Sequence, residues 1–91
     1  MKITVTYFAR PGRREEFLHR VVTAGILSAI REEDGCLRYD YYLSCQNKEE
    51  ILLLEEWESE AHQRLHMEQE HMKRLMDIKN DCIAETRVQK G

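Results

Sequence analysis

Apolar and polar residues alternate at the start of the chain, and "KITVTYFA", residues 2–9, carries enough β-branched side chains to predict a strand. Pro11 and Gly12 in the "RPG" turn end it. From Arg13 to about Asp34 the period becomes helical, with Phe17, Leu18, Val21, Val22, Gly25 and Ala29 on one side. A glycine within a helix costs about 1 kcal/mol relative to alanine. Gly25 therefore implies either close packing on a sheet or room left for a ligand, and Gly35 stops the helix. "CLRYDYYLS", 36–44, and "EILLLEEWE", 50–58, read as two strands joined by the short polar loop "CQNKE". A register in which Arg38 faces Glu56 makes an opposite-charge pair. It places Leu37 opposite Trp57, Tyr39 opposite Glu55, Tyr41 opposite Leu53 and Leu43 opposite Ile51 on the other side. Ser59 is a natural N-cap for a helix running to about Lys79, and "CIAETRVQ", 82–89, is the last strand.

The predicted order is βαββαβ. Right-handed crossovers turn this into an α+β, ferredoxin-like fold. Its four-stranded antiparallel sheet has the first and third strands central and both helices on one face. The third strand points Leu53 one way and Leu52 and Leu54 the other. A central strand that is apolar on both faces needs cover on both. The helices supply one cover, and a second copy of the chain, sheet against sheet, is expected to supply the other.

Length and charge narrow the functional classes. The 91 residues make one domain, 1–91, and a chain this short buries only about 60–65% of its unfolded surface, which favours a homodimer. The net charge of −3 is spread with both signs interspersed. Without a basic stripe, nucleic-acid binding has little electrostatic support and is not expected. No apolar leader or spanning segment is visible, so no membrane partner is expected. Cys36, Cys45 and Cys82 are odd in number and widely spaced, which suits neither a disulfide framework nor a zinc site and points to a reducing cytoplasm. Cys36 and Cys82, in strand-like context, read as small apolar fillers.

Candidate chemistry concentrates in "EEWESEAHQRLHMEQEHM", residues 55–72, which holds Trp57 and His62, His66 and His71. His62 and His66 lie one helical turn apart and could reach one ion, with Glu55 the only obvious third ligand. The His-Glu-x-x-His signature is absent, and on a straight helix His71 lies about 140° from His66, so the three do not converge and no metal is expected. On such a helix Ala61, Leu65, Met72, Leu75 and Met76 define the buried side, with His62 at its edge and His66 and His71 further out, in solvent. Glu68 would then project toward the buried side, which requires either a partner or a bend near Met67–Glu68. A bend would turn His66 toward the sheet. There an imidazole suits removal of a proton from a phenol, an enol or a hydroxyketone, provided an apolar, ring-lined pocket lies beside it. Tyr39, Tyr41, Glu55 and Trp57 share one inferred strand face and could line it. Each has a plainer role available, Trp57 and the tyrosines as packing groups and Glu55 as an acceptor for Tyr39.

Four segments in order, "PGRREEFL", "EEDGCLRYDYY", the Glu-x-Trp strand end and a helix with histidines at 66 and 71, resemble the antibiotic biosynthesis monooxygenase (ABM) domain over about residues 3–80. The resemblance implies a dimeric α/β-barrel with a pocket between sheet and helices in each subunit. It implies that Trp57 matches the family's strand tryptophan, Glu55 its preceding acid, Tyr39 its second-strand aromatic and His66 its pocket-facing histidine. His62 and His71 transfer less directly. Members of the family include monooxygenases without cofactor, haem-degrading enzymes and an isomerase acting on a small sugar phosphate, so the fold does not fix the reaction. The haem-degrading branch uses an asparagine in the first strand. "KITVTYFA" has none, which disfavours that activity.

The reading is a cofactor-independent monooxygenase that oxidises a small phenolic or quinol-type substrate with dioxygen. His66, Tyr39 and Glu55 would be catalytic, and Trp57, Tyr41 and His62 would contact substrate. The alternatives are an isomerase or tautomerase on a small carbonyl or sugar-phosphate compound, with Arg10, Arg13 and Arg14 near a helix N-terminus as phosphate partners, and a non-catalytic dimeric ligand-binding module.

Overall fold

The structure is a computed structural model covering residues 1–91. Its elements are β1 (Lys2–Ala9), α1 (Arg14–Thr23), α2 (Ile26–Arg31), β2 (Cys36–Leu43), β3 (Glu50–Trp57), α3 (Glu60–Met67), α4 (Glu70–Cys82) and β4 (Ile83–Lys90). The strands form one antiparallel sheet in the order β2-β3-β1-β4, the ferredoxin-like arrangement with β1 and β3 central. Alternation decides which side chains go inward. Ile3, Val5 and Tyr7 of β1 and Ile51, Leu53 and Trp57 of β3 are buried under the helices with Phe17, Val21, Ile26, Ile30, Leu75 and Ile78. The other face of the two central strands, with Thr4, Thr6, Phe8, Leu52 and Leu54, stays half-buried. No helix is long and apolar enough to cross a membrane.

Both expected helices are broken in two. The first breaks at Gly25, which adopts φ +75 and has open space where a Cβ would stand. It does not serve close packing. Its left-handed backbone ends α1 and restarts the chain as α2. The break shifts the helical phase, so Ile26 and Ile30 are buried while Val22 is 55% exposed. The second helix breaks at Glu68 and Gln69, where backbone bonds tighten (Glu68 N to Leu65 O, 3.1 Å; Gln69 N to His66 O, 3.2 Å) before an extended Gln69 opens α4. Glu68 thereby stays in solvent. The straight-helix assignment of the buried side is overturned with it: Ala61, Leu65 and Met76 are exposed, and among the expected residues only Leu75 is fully buried. Ser59 does cap α3, its hydroxyl accepting from the His62 backbone N–H at 3.2 Å.

The β2–β3 register holds from Arg38–Glu56 to Leu43–Ile51 as expected, but fails at the strand start. A bulge leaves Leu37 unpaired and 65% exposed, and Cys36 rather than Leu37 stands opposite Trp57. The cause is the tight entry to β2: Gly35 turns at φ +81, and Glu58 N donates to its carbonyl at 2.9 Å. Cys82 ends α4 instead of beginning β4, and all three cysteines are free thiols.

Candidate active site

Breaking the second helix opens a cavity of about 480 Å³ between the sheet and the α3–α4 junction. Ile3, Val5 and Tyr7 of β1 form its floor, with Tyr39 and Glu55 beside them. His66, Met67, Met72 and Leu75 close it from the helices, and Thr86, Val88 and Lys90 of the edge strand β4 form the remaining wall. The enclosure is mainly apolar with a few convergent polar groups, the usual character of a small-molecule site.

His66 is 1% exposed and faces this cavity. Its ring lies 4.5 Å from the Trp57 ring at 33° and 5.6 Å from the Tyr39 ring. Its Nδ1 sits 3.1 and 3.0 Å from the two carboxylate oxygens of Glu33. The same carboxylate lies 2.7 Å from His71 Nε2. On one straight helix, residues five apart point about 140° away from each other. The break is what lets two imidazoles share one acid. Glu33 holds His66 with Nδ1–H toward the carboxylate, which leaves Nε2 as the free ring nitrogen on a cavity-lining residue.

Glu55 is buried beside this group, and its Oε1 accepts from Trp57 Nε1–H at 3.0 Å. Burial raises its carboxyl above the usual range, against the lowering influence of the Trp57 hydrogen bond, His66 and Lys79. Burial also raises the Tyr39 and Tyr7 phenols far up, with further contributions from Tyr41 and Glu55, so both remain hydrogen-bonding hydroxyls at neutral pH. Lys79 stands over the Tyr7 ring, its Nζ 5.0 Å from the centroid, and burial lowers its pKa.

The sequence-predicted residues divide sharply. His66, Tyr39 and Glu55 meet at the cavity. Trp57 does not reach it: fully buried, it packs behind His66 and Glu55 and positions both, so it has no surface to offer a substrate. Tyr41 likewise lies behind, edge-on to Tyr39 at 5.8 Å and to Phe17 at 5.9 Å. His62 is remote. Its Nδ1 lies 2.7 Å from Ser59 Oγ and its Nε2 3.4 Å from Asp34, with the ring closely packed against Gly35. Asp34, Glu58 and His62 hold three ligand-type atoms within 4.8 Å of one another, but the two carboxylates are exposed and the group lies away from the cavity. The arginines considered for phosphate are engaged elsewhere. Arg14 donates to the carbonyls of Ser44, Asn47 and Glu50, Arg13 pairs with Glu16, and Arg10 donates to Asn80 O. Sequence reasoning missed Glu33, whose setting in "REEDG" reads as a surface helix end, and Lys79.

The family model described as antibiotic biosynthesis monooxygenase matches residues 1–77. Among solved structures, PA3566 from Pseudomonas aeruginosa is similar at 25% identity and a TM-score of 0.83, over 97% of this chain and 87% of that one. A conserved protein from Methanosarcina mazei Go1 is similar at 25% identity and a TM-score of 0.82, over 97% and 86% of the two chains. A structure described as an antibiotic biosynthesis monooxygenase shares the fold at 24% identity and a TM-score of 0.82, over 97% and 92%. No curated protein matches in sequence.

Proposed function

The chain belongs to the antibiotic biosynthesis monooxygenase family, and on that premise we propose that it is a cofactor-independent monooxygenase oxidising a small phenolic or quinol-type substrate with dioxygen. The observation that carries this reading is the His66–Glu33 pair at the wall of an apolar cavity. His66 Nε2 takes the phenolic proton, and Glu33 stabilises the imidazolium that results. The phenolate is electron-rich enough to reduce dioxygen directly. A phenol with an open para carbon then becomes a quinone: one oxygen atom enters the ring, the other leaves as water, and the substrate supplies all four electrons. Tyr39 donates a hydrogen bond to the bound anion, and the apolar walls keep water from competing for it. Glu33 and His71 together offer the proton a route from His66 toward the surface. Trp57 holds Glu55 and His66 in place without touching substrate.

Oxygen uptake with 1-naphthol and with small hydroquinones tests the proposal. His66→Ala is expected to lower the rate by about a hundredfold or more. Equal rates in wild type and variant would remove His66 from the chemistry. A second reading rests on a different observation: Glu55 and His66 line the same cavity, so two proton-transfer groups are available to move a proton within a carbonyl compound. Turnover of such a compound undiminished under strict anaerobiosis would select isomerisation.

The assembly that fits this reading is a homodimer. The half-buried face bearing Phe8, Leu52 and Leu54 is opposite the cavity, so two copies can pair sheet to sheet and leave both sites open.

A further inference from the structure

The cavity's charged groups are one-sided. Its wall carries three lysines, Lys73, Lys79 and Lys90, and a single carboxylate, Glu55. This runs against a chain whose net charge is −3. Of the three, Lys73 is tied to Glu70 at 3.2 Å in solvent, while Lys79 is half-buried, makes no ion pair within 4.0 Å and has its ammonium beside the Tyr7 ring. A half-buried ammonium among Met72, Leu75, Met76 and Tyr7 has given up part of its hydration without a carboxylate in hydrogen-bonding reach. Glu55, the nearby countercharge, is itself engaged by Trp57.

We infer that the cavity selects aromatic substrates bearing a carboxylate, with Lys79 as the group that receives it. Apolar floor and ammonium wall suit an amphiphilic acid whose ring lies over Ile3 and Val5 and whose carboxylate points to the α4–β4 side. That pose leaves the far end of the ring toward His66 and Tyr39, where the phenolic hydroxyl belongs. Lys79 is a specificity residue in this account, and the inference rests on the cavity being the substrate site.

The test is calorimetric binding under argon, so that no oxidation intervenes, with three probes of one ring system: 5-hydroxy-1-naphthoate, whose hydroxyl and carboxylate stand at opposite ends of the ring, its methyl ester and 1-naphthol. The carboxylate is expected to bind at least about tenfold more tightly than either neutral probe, as a hydrogen bond to a charged partner provides. The preference should shrink as salt rises. Lys79→Met should abolish the preference, and an unchanged circular dichroism spectrum with a cooperative thermal melt reports that the variant is folded. The wild-type protein supplies an independent readout: the Lys79 side-chain resonance should shift with the carboxylate and not with 1-naphthol. Equal affinity for all three probes, a preference that survives Lys79→Met, an unmoved Lys79 signal, or no binding at all would each overturn the inference. Binding and oxidation are measured separately, so a carboxylate preference without oxygen uptake would count against the monooxygenase and not against this site.

Discussion

At the scale of single residues, the site depends on a carboxylate that the sequence does not advertise. Glu33 precedes His66 by more than thirty positions, in a run of charges that looks like any solvated helix end. Only the fold brings its oxygens within 3.1 Å of His66 and 2.7 Å of His71. Glu33→Gln keeps the shape but removes the charge that stabilises the imidazolium. It is expected to lower turnover about ten- to a hundredfold with a smaller change in KM, measured by steady-state oxygen uptake. Glu55 offers a second prediction. Its folded pKa lies above the ordinary value of 4.5, so the folded state holds its proton more tightly than the unfolded state does. Its contribution to stability is therefore greatest below pH 4.5 and is lost as pH rises through the raised folded value. Glu55→Gln retains an oxygen to accept from Trp57 and has no proton to lose. The variant's melting temperature should exceed the wild type's near pH 8, and the difference should narrow as pH falls toward 4.5.

At the scale of elements, much was legible and the exceptions share a cause. Period-two and helical patterning located all four strands and both helical regions, and Ser59 marked a true helix start. What patterning cannot carry is phase across a break. A wheel drawn through residues 59–79 assumes one continuous helix and therefore buries Leu65 and exposes His66, the reverse of what is found. The warning was Glu68, a charge that a straight helix would have buried, and it marked the place where the helix gives way. Gly25 reads in the sequence as a mid-helix glycine and Gly35 as a helix stop; both adopt positive φ, yet their surroundings differ. A Cβ at Gly25 meets nothing, so Gly25→Ala should cost only the left-handed backbone penalty of about 1–2 kcal/mol. A Cβ at Gly35 would collide with the His62 ring. Gly35→Ala should therefore cost clearly more, about 3 kcal/mol, a fall in Tm of about 10–20 °C in thermal denaturation.

At the scale of the whole molecule, the βαββαβ order was enough to fix the sheet, because right-handed crossovers leave few other ways to pair these strands. The cavity was not legible, since it forms where the helices fail to cover β4 and no local pattern records a gap in cover. The open face of β1 and β3 gives the assembly prediction. Leu52→Glu places a charge at the centre of that face, opposite Thr6 and Tyr42, and should convert the proposed dimer to monomers in sedimentation velocity without unfolding the chain.

The edge position of β4 has one more consequence. This strand is bonded to β1 alone and is exposed along nearly its whole length, yet Thr86, Val88 and Lys90 complete the cavity. A site with so thinly anchored a side can admit a guest by local unzipping while the rest of the sheet stays shut. Amide protons on β4 should then trade for deuterium well before those of β3, and a well-fitting guest should slow that trade selectively along β4.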